Sequence, residues 1–175
     1  MEIVRDTVYT PIYRRNTQIN TPASEAFPYI SADNTTLLFS RTHYTPTLTQ
    51  KPVVESYEIM YSHKEFAIWK KPQPIRYRLP RGYDYCRLAG ASPDAKRIYL
   101  AVAESEDHPT ELMQGHLQSG RLTQLQWLEG LNTEYQELGF TETPSGDTAY
   151  FASNRPGSKG GLDIYYATLV SEGAY

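Results

Sequence analysis

Apolar and aromatic residues come along this chain in short runs, each closed off by Pro, Gly, Asn, Asp or Ser. Thr36-Leu37-Leu38-Phe39-Ser40, Arg97-Ile98-Tyr99-Leu100-Ala101 and Thr148-Ala149-Tyr150-Phe151-Ala152 are examples. Runs of this length, rich in aromatic and aliphatic side chains and bounded by turn formers, predict strands. The best stretch for a helix, Thr123 to Leu138, carries Leu125, Leu128 and Leu131 but is interrupted by Gly130. The pattern predicts an all-β chain.

The three strand candidates are copies of one unit. Each follows a polar tight turn: Ser31-Ala32-Asp33-Asn34, Ser92-Pro93-Asp94-Ala95 and Thr143-Pro144-Ser145-Gly146. Asp, Asn and Gly accept the dihedrals of a hairpin reversal and Pro presets one of them. A second run follows each: Tyr57-Glu58-Ile59-Met60, Thr110-Glu111-Leu112-Met113 and Leu162-Asp163-Ile164-Tyr165. Trp69 and Leu122, each eleven residues beyond the acid of its repeat, fit one more outer strand. Asp33 and Asp94 are 61 residues apart, Glu58 and Glu111 are 53, Glu111 and Asp163 are 52. The long first interval reflects a longer connection between Thr42 and Val54. A period near 50 in β-rich sequence is that of propeller blades, each a four-stranded antiparallel sheet.

Composition narrows the function. The 175 residues suit one domain or a few repeats, and 15 tyrosines against 5 phenylalanines favour half-buried strands. A net charge of -3 argues against a nucleic-acid binder. No apolar run is long enough to span a bilayer. Met1 to Arg15 has no apolar core of the kind a secretory signal needs. The single Cys86 has no partner for an internal disulfide.

Ser153-Asn154-Arg155-Pro156-Gly157-Ser158-Lys159-Gly160-Gly161-Leu162-Asp163-Ile164-Tyr165 resembles the WD40-like, TolB-type β-propeller repeat of bacterial envelope proteins. Ile19-Asn20-Thr21, with Ser24-Glu25-Ala26-Phe27-Pro28 and Ser31-Ala32-Asp33, resembles the entry to that repeat, and Leu131-Asn132-Thr133 with Glu137 echoes it. The second repeat is degenerate, with Ala103-Glu104-Ser105-Glu106 where the Asn-Arg-Pro-Gly loop belongs. The resemblance implies an interaction platform, often beside a peptidoglycan-binding or outer-membrane module, and a periplasmic or cell-envelope location. It does not imply catalysis. The repeats divide the chain at about 19–75, 76–130 and 131–175.

Three blades do not close a ring, which takes about four to eight. The third repeat runs only twelve residues past Asp163, while residues 1–18 hold a strand without a blade, Val8 to Tyr13. We therefore expect two chains to close one six-bladed ring, each N-terminal strand completing the partner's third blade.

Chemistry-bearing residues are few. Cys86, inside a strand, reads as a buried inert thiol. There is no nucleophile elbow, P-loop or dinucleotide fingerprint, and no cofactor is expected. His63 and His116 hold equivalent places, which repeat symmetry explains without a metal. Glu58, Glu111 and Asp163 recur in every repeat, unlike a catalytic acid, so no catalytic residue is assigned. The non-repeated acids Asp84, Glu104, Glu106 and Asp107 fall in loops. The binding candidate is Arg76, Tyr77, Arg78, Arg81, Tyr83 and Tyr85, which replaces the entry loop of repeat two. Arginine and tyrosine together suit protein, peptide or glycan recognition; the same tyrosines could instead pack a strand, with the arginines solvated. The expected function is a non-enzymatic binding or scaffold module. The alternative is a carbohydrate-active propeller enzyme of glycoside hydrolase or lyase type.

Overall fold

The protein is seen here as a computed structural model that describes residues 19–45, 53–170 and 174–175. These residues form twelve strands and no helix, arranged as three antiparallel sheets in chain order. Sheet 1 runs β1 (Ser24–Ile30), β2 (Thr36–Thr45), β3 (Val53–Glu65), β4 (Ile68–Trp69), with β5 (Gln73–Pro74) also paired to β3. Sheet 2 runs β6 (Tyr85–Ala91), β7 (Arg97–Ala103), β8 (Glu111–Gln118), β9 (Arg121–Trp127). Sheet 3 holds three strands, β10 (Glu137–Glu142), β11 (Thr148–Ser153) and β12 (Asp163–Thr168). The strand Val8 to Tyr13 expected from the sequence lies outside the described residues.

One turn, used three times, joins the first two strands of each sheet. Ser31, Ser92 and Thr143 each donate a backbone N–H to the carbonyl five residues on, at 2.9, 2.9 and 2.8 Å. In the first two turns the serine hydroxyl bonds the aspartate two residues later at 2.6 Å. Each turn then passes through positive φ, at Asn34 (57°), Ala95 (55°) and Gly146 (75°). The sequence makes the turn because short polar side chains replace the backbone partners that the reversal removes.

Alternation along the strands assembles the core. Successive side chains face opposite ways, so β7 sends Ile98, Leu100 and Val102 toward sheet 1 and Tyr99 and Ala101 toward sheet 3. All five are 0% exposed. Sheet 1 contributes Leu38 and Ile59 to the first apolar layer, and sheet 3 contributes Phe140, Ala149 and Phe151 to the second. The first strands β1, β6 and β10 lie in sequence beside one another. Consecutive antiparallel sheets stacked face to face around adjacent first strands make this a β-propeller-type fold.

Cross-strand register fixes which positions correspond. Ser40 pairs with Ile59, Ala101 with Leu112 and Ala152 with Ile164. Leu38, Tyr99 and Tyr150 therefore hold one repeat position, and Ile59, Leu112 and Ile164 another. The first two members of each series are 0% exposed, whereas Tyr150 and Ile164 are 45% and 73% exposed on the outer face of sheet 3.

Two glutamates of the fold are each tied down by an arginine and a threonine. Glu137 is fully buried and accepts from the Thr133 hydroxyl at 2.6 Å and from Arg155 at 3.1 Å, whose guanidinium also reaches the Leu131 carbonyl at 2.7 Å. Glu25 repeats the arrangement with Thr21 at 2.6 Å and Arg41 at 3.0 Å, Arg41 in turn bonding the Ile19 carbonyl. The position in sheet 2 is Cys86, which explains why the second entry loop looks unlike the others.

Candidate functional site

Each of the three first strands is broken by a bulge at about the same height. The register slips between Ala26 and Tyr29, between Leu88 and Gly90, and between Leu138 and Phe140. Pro28 has no N–H to give the ladder, Phe27 sits at a φ of 53°, and Gly139 at 61°. The bulges turn backbone and side chains out of the ladder and open a trough across β1, β6 and β10. It has a volume of about 380 Å³ and a mostly apolar lining that includes Phe27, Pro28, Leu88, Leu138 and Phe140. No carboxylate, histidine or cysteine is among its lining residues. Gly90 lets β6 and β10 meet: a Cβ there would stand 1.8 Å from the Phe140 carbonyl oxygen.

Beside the trough lies Arg87. Its guanidinium carbon is 5.0 Å from the centroid of the Phe27 ring and 5.6 Å from that of Tyr85. Its Nε is buried and makes no hydrogen bond. Arg41, Arg97 and Arg155 are each paired with a carboxylate, and Arg76, Arg78, Arg81 and Arg121 are exposed. Among the described residues Arg87 alone is shielded and lacks an acid. The sequence gives little warning of this, since Tyr85-Cys86-Arg87 reads as an ordinary strand start.

The candidate segment from Arg76 to Tyr85 divides by residue type. Arg76, Arg78 and Arg81 are exposed, while the tyrosines are engaged by the fold. Tyr77 packs on the first apolar layer, and burial with a bond to Cys86 raises its phenol. The Tyr83 hydroxyl donates to Glu111 at 2.6 Å, which pushes it up to about 12, and its ring lies 5.2 Å from that of Trp127. Tyr85 is buried edge-on against Tyr57, with ring centroids 4.7 Å apart. Of the six, Tyr85 also lies against Arg87.

The remaining chemical candidates have structural partners. Burial pushes the Cys86 thiol up to about 12. Glu58, Glu111 and Asp163 occupy matching register positions opposite Arg41, Val102 and Ser153. Glu58 meets His43 at 2.9 Å, Glu111 meets Tyr83, and Asp163 accepts from the Lys159 backbone. His63 and His116 stand opposite Thr36 and Arg97 in equivalent pairs. Among the described residues no three His, Cys, Asp or Glu side chains gather as a metal site.

No protein-family model matches the chain, and no curated protein does. Solved structures do. A puromycin-hydrolyzing peptidase of Mycobacterium tuberculosis superposes at a TM-score of 0.53 and 16% identity, over 86% of this chain and 22% of the peptidase. A putative TolB from Agrobacterium tumefaciens matches at 0.43 and 20% identity over 85% of this chain and 59% of its own. A prolyl endopeptidase matches at 0.42 and 15% identity, over 85% of this chain and 26% of the enzyme. The chain thus spans about a fifth of the peptidase's length, and at these identities the likeness concerns the fold alone.

Proposed function

We propose that this chain is a non-enzymatic propeller-type module that recognises a protein, peptide or glycan partner along the wall of its first strands. The observation that carries the reading is the trough, a built concavity with an apolar lining and no acid among its described lining residues. A glycoside hydrolase or lyase would need a carboxyl pair at such a place. The recurring acids are instead each bound to a neighbouring strand or loop. The exposed Arg76, Arg78 and Arg81 offer a second contact area for the same partner, and the repeat resemblance favours a periplasmic setting.

Titration of the isotopically labelled chain with N-acetylated hexapeptides and with β-linked oligosaccharides tests this. The amides of Ala89 and Gly139 should shift saturably by about millimolar concentration, and no probe should be cleaved. Cleavage of any glycan overturns the non-enzymatic reading. Unmoved amides overturn the recognition surface.

The same reading includes a second copy of the chain. Tyr150 and Ile164 repeat the positions through which sheet 1 packs on sheet 2 and sheet 2 on sheet 3, yet nothing described covers them. The face able to receive them recurs as well: Leu37, Phe39 and Met60 correspond to Ile98, Leu100 and Met113. Two chains meeting sheet 3 to sheet 1 would satisfy both rows and close one ring of six sheets. Phe39 and Met60 are each 3% exposed in the single chain, so a second chain has to gain access to a face already kept from solvent. Light scattering should give about 40 kDa, twice the 20.0 kDa of one chain. A compact 20 kDa species at every concentration overturns it.

A further inference from the structure

Arg87 stands at a position the scaffold otherwise keeps apolar. It pairs with Ala101, as Ala26 pairs with Ser40 and Leu138 with Ala152, so its counterparts in sheets 1 and 3 are an alanine and a leucine. Packing of the sheets therefore does not require a cation here. A guanidinium shielded by two aromatic rings, with a buried Nε unbonded, carries an unmet demand for an acceptor. The three other shielded arginines, Arg41, Arg97 and Arg155, meet that demand with a carboxylate of this chain. Arg87 does not.

The trough starts where Arg87 ends, because Phe27 belongs to both. Its ring lines the trough and also covers the guanidinium, held there by a backbone φ of 53°. Strain of this kind, at a residue that joins an unpaired cation to an apolar concavity, is common where a fold holds a ligand. A volume near 380 Å³ lies in the range of small-ligand sites.

Resting on the binding reading above, we infer that Arg87 and the trough form one site for an apolar group bearing a carboxylate. The guanidinium takes the carboxylate through paired N–H···O bonds. The Phe27 and Tyr85 rings, 5.0 and 5.6 Å from the guanidinium carbon, hold the fork in place, and Leu88, Leu138 and Phe140 take the apolar part. A free peptide C-terminus and a simple aryl or alkyl acid share this chemistry.

The experiment uses the whole labelled chain and three probes: N-acetyl-Leu-Phe with a free carboxylate, its C-terminal amide, and 4-phenylbutyrate. The peptide acid should bind at least about tenfold more tightly than its amide. Tighter binding of the peptide than of phenylbutyrate marks a peptide terminus as the source, and the reverse marks a small acid. Arg87→Gln should remove the preference for acid over amide. Arg87→Leu should bind neither acid well yet melt at the same temperature as the parent or higher, since leucine is what sheet 3 already places there. Equal binding of acid and amide, with shifts confined to the trough, overturns the role of Arg87 and leaves the platform standing. No saturable shift from any probe overturns both. A large fall in melting temperature for Arg87→Leu would show the cation to be structural and overturn the site.

Discussion

Tyr99 and Tyr150 occupy one register position in successive sheets, and the first is fully buried while the second is 45% exposed. The difference is a neighbour. Tyr99 lies under sheet 3, with its ring 4.2 Å from Phe140 and its hydroxyl 2.6 Å from Glu142, and Tyr150 lies under nothing described. Substitution should read this difference directly. Leu112→Ala, in the covered row, should cost about 2–5 kcal/mol in chemical denaturation. Ile164→Asp, in the open row, should leave the single chain's stability within about 1 kcal/mol while lowering the mass of the assembled species. A stable dimer of the Ile164 variant would remove that face from the interface.

Gly90 and Gly139 lie close together in the trough wall and should respond differently to alanine. Gly90→Ala drives a methyl into the Phe140 backbone and should destabilise by at least about 2 kcal/mol, with loss of the contact between β6 and β10. Gly139→Ala meets open space and strains only a φ of 61°, a cost of about 1 kcal/mol. Equal melting temperatures for the two would contradict the close approach.

The Glu137 and Arg155 pair should behave as a buried ion pair with extra hydrogen bonds. Arg155→Ala leaves a carboxylate with 0% side-chain exposure short of its counter-charge and should cost about 3 kcal/mol. Arg155→Ala with Glu137→Gln should recover part of that loss. A double-mutant cycle with no coupling would show the two groups to be independent.

These networks mark what was legible in the chain and what was not. The turns at Asp33 and Asp94 and the strands after them follow from local chemistry, because short polar side chains beside alternating apolar ones leave little else to form. The matching positions of Glu58, Glu111 and Asp163 were visible for the same reason. The trough was not, since it arises where three bulges far apart in sequence, at Phe27, Ala89 and Gly139, arrive side by side. Arg87 stayed hidden because a strand residue reveals an unmet charge only when its surroundings are known. The tyrosines of the Arg76 to Tyr85 segment could be read either way, and the acceptor for Tyr83 sits 28 residues downstream at Glu111.

Cys86 should resist alkylation. Burial pushes its thiol up to about 12, so the folded chain holds the proton that an unfolded chain releases above about 8.5. The associated stability is fully present below that pH and is lost as pH rises toward 12. Iodoacetamide at pH 8 should label the unfolded chain rapidly and the native chain hardly at all. Rapid native labelling would show the site to be open.

The turns contribute to the acid limb. Hydrogen bonds from the Ser31 and Thr35 hydroxyls and from the Thr35 backbone hold Asp33 below the usual carboxylate range. The stability that this bond set supplies is present above about pH 4 and fades as pH falls through the depressed value. Asp33→Asn should flatten that limb in a melting-temperature profile, and an unchanged profile would exclude the turn as its source.

Sheet 2 is the only sheet among those described with apolar layers on both sides, and that makes it the keystone of the stack. Its central strand, β7, gives alternate side chains to two separate cores, so no path of unfolding can expose β7 without first parting one of them. Opening should therefore spread inward from the flanks, with sheet 3 and the outer strands of sheet 1 exchanging amide protons soonest and Leu100 last. A chain built this way grows by adding further leaves at its flanks and leaves the keystone as it is.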